Sequence, residues 1–340
     1  MTSVFWNTFS KSVRLTLLFL LGVMLAGSLF ACRRQGVESA SSLEPSDCQW
    51  IEHAAGRTCV PHQIERLVTL DTVSFENAIA LGLQPIATVD TQRIDDLLKS
   101  QLSGVVDIGE SEAPNLEQVL QLKPDFILGL DGASEGLYTQ ASQIAPTAMI
   151  AFDYSGQWKE VFFKYAQVLN REDVGKQVMD EYDARSQTFQ QQLAAQFPSE
   201  EPPQISVVRI YPATINLYFR ESFPGIVLAD AGLARPEAQD ITATEARSLY
   251  QNPIQAAISL ERLDFADGNA IFVWTAEGTE EADRTAQEKL AVLEADPLWQ
   301  NLKAVQANRV YFVPNYWIGS GPIAANAILD DLFKYLIEEA

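Results

Sequence analysis

Two histidines, His53 and His62, and three cysteines, Cys32, Cys48 and Cys59, are all the imidazole and thiol this 340-residue chain holds. All five precede residue 63. The rest of the chain therefore lacks Ser–His and Cys–His nucleophile pairs. It also lacks the imidazole and thiolate ligands that zinc, copper or haem iron take, so no metal site is expected. Neighbouring carboxylates occur at Asp95–Asp96, Glu280–Glu281 and Asp330–Asp331, but adjacent acids on helices or loops are usually solvated surface. Gly319-Ser320-Gly321 lacks the spacing of a phosphate-binding loop and marks only a turn into a helix. What remains is a set of guanidiniums and flat rings: Arg93, Arg209, Tyr211, Arg220, Tyr250, Trp274, Tyr316 and Trp317. Taken singly, a strand aromatic is core and an arginine in an acidic protein pairs with a carboxylate. Taken together they suit an anionic, planar or aromatic guest better than a sugar or a bare ion.

The elements that position these residues alternate. RLVTL reads as a buried strand, SFENAIALG as a helix closed by Gly82, and QPIATV and GVVDIG as strands. NLEQVLQLK is a helix stopped by Pro124; FILGL, LYTQASQIA and TAMIAF continue the strand–helix rhythm. Such alternation predicts mostly parallel sheets with helices on their faces. The rhythm breaks at two helical patterns, and the second, residues 172–197, predicts one helix of about 39 Å. PSEEPP ends it. ISVVRIY and INLYF then read as a hairpin turning at PAT, FPGIVLADAGL as a helix capped by Gly232, and SLERL as a helix with Ser259 as N-cap. AIFVWT and RVYFVP are strands, and PIAANAILDDLFKYL closes the chain as a helix starting at Pro322. The fold expected is α/β, two lobes joined by one long helix: a first lobe over 61–171, the joining helix over 172–197 and a second lobe over 203–340. Ligands of such lobes sit at the carboxyl ends of the strands, in the cleft between them.

The chain's location follows from its start. An apolar run, LTLLFLLGVMLAGSLFA, follows Lys11 and Arg14 and ends on Cys32. Residues 1–31 have the build of a signal peptide. Leu29, Ala31 and Cys32 resemble a bacterial lipobox whose cysteine is lipidated, although Phe30 stands where a small residue is usual. Lipidation, plain secretion and an uncleaved anchor are the three readings, and each places the body outside the cytoplasmic membrane. Residues 32–60 then form a polar tether and the start of the fold. An oxidising compartment permits Cys48 and Cys59 to pair, with two free thiols as the alternative. Removing Lys11 and Arg14 with the leader takes the formal charge from −21 to −23. So acidic a body repels nucleic acid and anionic lipid.

From about Val60 onward the chain resembles the ferric-siderophore-binding proteins of bacterial ABC importers. The stretches that carry the likeness are IERLVTLD, FENAIALGLQPIA, VVDIGE, PNLEQVLQLKPDFIL, QIAPT, SLERLDFADGNAIFVW, DPLWQNLKAVQANRVYFVP and GPIAANAILDDL. HAAGRTCVP resembles the strand pair that opens these proteins. The resemblance implies class III periplasmic-binding-protein architecture. It also implies a lipid-anchored monomer at the periplasmic face of the cytoplasmic membrane, and no catalysis or resident cofactor. Ligand contacts would fall on Arg93, Arg209, Arg220, Tyr250, Trp274 and Trp317. Glu76 and Glu261, one per lobe, would dock against the permease dimer. The same architecture also serves cobalamin and haem; an extracytoplasmic α/β enzyme is the alternative from another class.

Overall fold

The computed structural model describes residues 47–132, 136–196, 201–275 and 279–339. The leader, Cys32 and the beginning of the tether lie outside the described residues. Among the described residues, no helix is long and apolar enough to cross a membrane.

The body opens with a hairpin, β1 (Cys48–His53) and β2 (Gly56–Pro61), antiparallel with Cys48 opposite Pro61. A disulfide joins Cys48 to Cys59 across it, with Cα atoms 5.4 Å apart. The first lobe follows: β3 (Leu67–Thr69), α1 (Thr72–Ala80), β4 (Ala87–Thr88), α2 (Asp96–Lys99), β5 (Val106–Asp107), β6 (Gly109–Glu110), β7 (Ala113–Pro114), α3 (Leu116–Leu122), β8 (Phe126–Leu130), α4 (Leu137–Ala141), β9 (Thr147–Ile150) and α5 (Trp158–Val168). Its main sheet has the order β5-β4-β3-β8-β9 and is parallel throughout. The hairpin leans on the β9 edge: the Thr58 hydroxyl donates to the Thr147 carbonyl at 2.7 Å, and the Ala54 N–H to the Met149 carbonyl at 2.9 Å. That covers an edge strand that would otherwise invite pairing.

Helix α6 (Glu172–Gln196) runs 25 residues, about 37 Å. Its buried positions, Gly175, Met179, Tyr182, Ser186, Phe189 and Leu193, recur every three or four residues and make one face. Near its start it meets the first lobe. A Cβ on Gly175 would stand 2.7 Å from the Ala166 Cβ of α5, so only glycine permits this approach.

The second lobe contains β10 (Ile205–Ile210), β11 (Ile215–Tyr218), α7 (Phe223–Asp230), α8 (Ala243–Tyr250), β12 (Gln255–Ile258), β13 (Ala270–Trp274), α9 (Glu280–Glu294), β14 (Val310–Phe312) and α10 (Pro322–Phe333). Its sheet, in the order β12-β11-β10-β13-β14, is mixed. Strands β10, β13 and β14 are parallel, whereas β11 is antiparallel to both β10 and β12. Parallel pairing still prevails over the two main sheets together, and the β10–β11 hairpin is the one expected at PAT. Strand β12 is the element not expected: QAAI has neither alternation nor a branched run, so periodicity passes over it. SLERL is not an α-helix either. Leu260–Ala266 is a 3₁₀ run broken at Arg262, and Ser259 makes no side-chain cap to its backbone.

On α10, the Arg185 guanidinium of α6 donates to the Asn326 side-chain oxygen at 2.6 Å and pairs with Asp330, while Phe189 meets Phe333 edge-on at 5.2 Å. The lobes share more than the helix. One buried apolar cluster runs from Phe126 of the first sheet through Phe162 and Tyr182 to Phe223 and Phe272 of the second lobe. Trp158 sits at its centre, edge-on to Tyr182 at 5.3 Å and to Phe223 at 5.8 Å.

Candidate functional site

Strands β3 and β4 of the first lobe and β14 of the second lead into one cavity of about 230 Å³, lined by Thr72, Glu76, Arg93, Asp95, Tyr316 and Ser320 among others. It lies at the junction of the lobes. Arg93 is half-exposed and its guanidinium lies 3.5 Å from Asp90. Asp95 caps α2, its carboxylate accepting from the Leu97 N–H at 2.9 Å, and partial burial raises its pKa. The Tyr316 hydroxyl donates to Asp331 at 2.8 Å.

A second group forms where β10, β11, β12 and β13 lie side by side. The Arg209 guanidinium rests over the Tyr211 ring at 4.2 Å and reaches the Tyr218 hydroxyl at 3.5 Å. Tyr211 and Tyr218 hydroxyls are 3.4 Å apart, and Gln255 links Tyr211 to Asn216. Trp274, whose Cα pairs with that of Arg209 in the parallel ladder, packs on Tyr218 at 5.0 Å. Burial raises the Tyr218 pKa above that of an ordinary phenol, so it stays a neutral hydroxyl. The group offers a cation held on an aromatic platform, flanked by hydroxyl and amide donors, a combination fit for an anionic or aromatic surface.

The other expected residues disperse. Arg220 follows β11, but its guanidinium is engaged by Asp240 at 2.9 Å. Trp317 is fully buried, stacked on Phe272 at 4.5 Å, with its indole N–H donating to Asp331 at 2.8 Å. It does not line the junction; its neighbour Tyr316 does, one residue away along Asn315–Ile318. Trp274 is likewise 2% exposed and supports Tyr218 rather than presenting a face. Tyr250 is exposed and stacks on Phe219 at 5.4 Å, in a groove of about 1150 Å³ lined by second-lobe residues alone. Glu261 lies in that same groove, exposed, and the Ser259 hydroxyl bonded to it lowers its pKa.

Glu76, expected to dock against the permease, is buried rather than presented at the surface. It is 7% exposed, and its carboxylate accepts the Ala324 N–H at 3.0 Å, at the start of α10. The correction has a counterpart. Asn115-Leu116-Glu117 in the first lobe repeats the pattern of Ser259-Leu260-Glu261 in the second, each following a short strand, with the glutamate in the first turn and exposed. That repeated triplet was readable in the sequence.

Two further arginines gave no sequence signal. Arg247 of α8 pairs with Asp153 of the first lobe and lies 5.4 Å from the Tyr154 ring, tying the lobes across their surface. Arg235 is buried, donating to the Tyr218 carbonyl and to Gln239 at 2.6 Å each, and burial lowers its pKa to about 9. Gln239 in turn accepts the Val207 N–H at 3.0 Å and donates to the Ser206 hydroxyl at 2.6 Å, so this knot fixes the strands carrying Arg209 and Tyr218. Among the described residues, no group of three or more His, Cys, Asp or Glu is placed to hold a metal.

Comparison with known proteins agrees with this architecture. A family model described as periplasmic binding protein matches residues 67–316. The probable siderophore-binding lipoprotein YfiY of Bacillus subtilis is 31% identical over 334 residues, which is 96% of this chain and 99% of that protein. The achromobactin-binding periplasmic protein of Dickeya dadantii is 29% identical over 275 residues, 79% of this chain and 86% of its own. The crystal structure of Staphylococcus aureus SirA complexed with staphyloferrin B superposes with a TM-score of 0.72 at 25% identity, covering 85% of this chain and 98% of SirA.

Proposed function

Because this chain belongs to the periplasmic binding protein family, we propose that it is an extracytoplasmic lipoprotein that captures a ferric siderophore between its lobes and delivers it to an ABC permease dimer. The observation that carries the reading is the Arg209 group: a guanidinium, two phenols and an indole gathered on one sheet face. A siderophore already saturates its iron, so the host has only to grip the outer surface of an anionic complex. Arginine and hydroxyl donors do that, with Arg93 contributing from the lobe junction. Each charge-assisted hydrogen bond contributes about 1.5–3 kcal/mol, and an aromatic contact about 0.5–1.5 kcal/mol beyond burial. A few of each suffice for nanomolar affinity, about −12 kcal/mol. Cys32, outside the described residues, would carry the lipid; a relative named as a lipoprotein over nearly its whole length supports that.

Titration of the protein with a panel of ferric hydroxamate, catecholate and carboxylate chelates, read by tryptophan quenching, tests the reading. Nanomolar binding of one class is the expected result; micromolar or weaker binding of all would overturn it. Mass spectrometry of the co-purified ligand should return it chemically unchanged, whereas an altered ligand would favour an enzyme. For docking we assign Glu117 and Glu261. The double variant Glu117→Ala with Glu261→Ala should lose more than 90% of iron uptake, about what removing two exposed ion pairs of a transient interface does, while ligand affinity stays within twofold.

A further inference from the structure

Glu76 is a carboxyl group of the first lobe whose hydrogen-bond partner belongs to the second. It projects from α1, is buried, and accepts the Ala324 N–H at 3.0 Å, with the Ile323 and Ser320 backbone also contributing. Gly321 makes room for it: a Cβ there would stand 2.7 Å from the carboxylate carbon and from one of its oxygens. Orphan N–H groups at the start of a helix as long as α10 need an acceptor. Among the described residues, α10 has no side-chain cap of its own from Gly321. A residue 248 positions away supplies the acceptor. The cavity of about 230 Å³ beside it gives protons access.

We propose that Glu76 is an interlobe latch, a positioning residue that fixes the first lobe on the start of α10, and that the latch is tight when its carboxyl holds a proton and loosens when the proton leaves. Burial is the main force: it penalises the charged form and raises the group from an ordinary 4.5 to about 7, against the pull of the α10 amides. Asp95, on the loop after β4, adds to the rise by repulsion. The other titratable groups around it are Arg93 beside Asp95, Tyr316 with Asp331 behind it on the second lobe, and Asp71 at the cap of α1 with Tyr165 of α5 behind that. The sign follows from linkage. The docked state binds the proton more tightly than a hydrated Glu76 would, so docking is favoured below about 4.5 and loses that advantage as pH rises to about 7.

The proposal rests on the two-lobe reading for its consequence, namely that the spacing between Arg93 and the Arg209 group is under proton control. Its test uses the ligand-free protein, so the outcome is independent of which chelate is carried. Amide hydrogen exchange over residues 319–327, corrected for the intrinsic pH dependence, is measured from pH 5 to pH 8. Protection should fall at least fivefold in the unaltered protein and change less than twofold in Glu76→Gln, which keeps the acceptor without the ionisation. Gly321→Ala, which crowds the carboxylate, should lower protection at every pH while far-UV circular dichroism stays unchanged. Flat protection in the unaltered protein overturns the latch, and so does a Glu76→Gln profile that tracks it. The measurement on the unaltered protein stands even if a variant fails to fold.

Discussion

The two lobes are both α/β and differ in how they present their polar side chains. The first is a parallel sheet whose strand ends run into polar loops, and it brings one half-exposed guanidinium, Arg93, to the junction. In the second, the antiparallel strand β11 returns Asn216 directly opposite Arg209 and brings Tyr218 up beside Trp274. A parallel crossover would have spent a helix to place the next strand; the hairpin places the partner residues within ten positions. On the proposed reading, recognition chemistry concentrates where the sheet departs from parallel order.

The contrast can be broken at four strengths. Trp317→Ala removes a fully buried ring and leaves Asp331 short of a donor, so urea unfolding should show a loss of about 3–5 kcal/mol. Affinity of the folded protein should stay within twofold, since Trp317 is core. A tenfold loss of affinity at unchanged stability would restore it to the site. Arg209→Ala should weaken ferric-siderophore binding by at least tenfold, about 1.5–3 kcal/mol, with the melting temperature nearly unchanged. Arg93→Ala, half-exposed and shared with Asp90, should cost less than a factor of five. Equal losses at Arg93 and Arg209 would erase the asymmetry between the lobes. Arg247→Ala should be the mildest: its ion pair with Asp153 is open to solvent on both sides, and such pairs contribute about 0.2–1 kcal/mol. Calorimetry showing a loss above 2 kcal/mol would make that pair a main fastening of the lobes.

Much of this was legible in the residues because local signals governed it. The long helix announces itself by period, α3 by its apolar spacing and the stop at Pro124, and the β10–β11 hairpin by its turn. What sequence reasoning missed depends on partners remote in the chain. Glu76 reads as a docking carboxylate until Ala324 is seen to claim it. The adjacent Tyr316 and Trp317 are indistinguishable by type, and only the 3₁₀ geometry of Asn315–Ile318 turns one to the cavity and the other inward. QAAI escapes notice because its order comes from pairing with β11, not from its composition.

The opening hairpin has a mechanical consequence. A membrane tether, as proposed above, would reach the body ahead of the disulfide-closed loop that leans on β9. A pull on such a tether would enter the molecule through the crosslink and the first sheet. Under the proposed anchoring, the first lobe would be the moored half of the molecule, and the half that bears Arg209 the one left at liberty to rock.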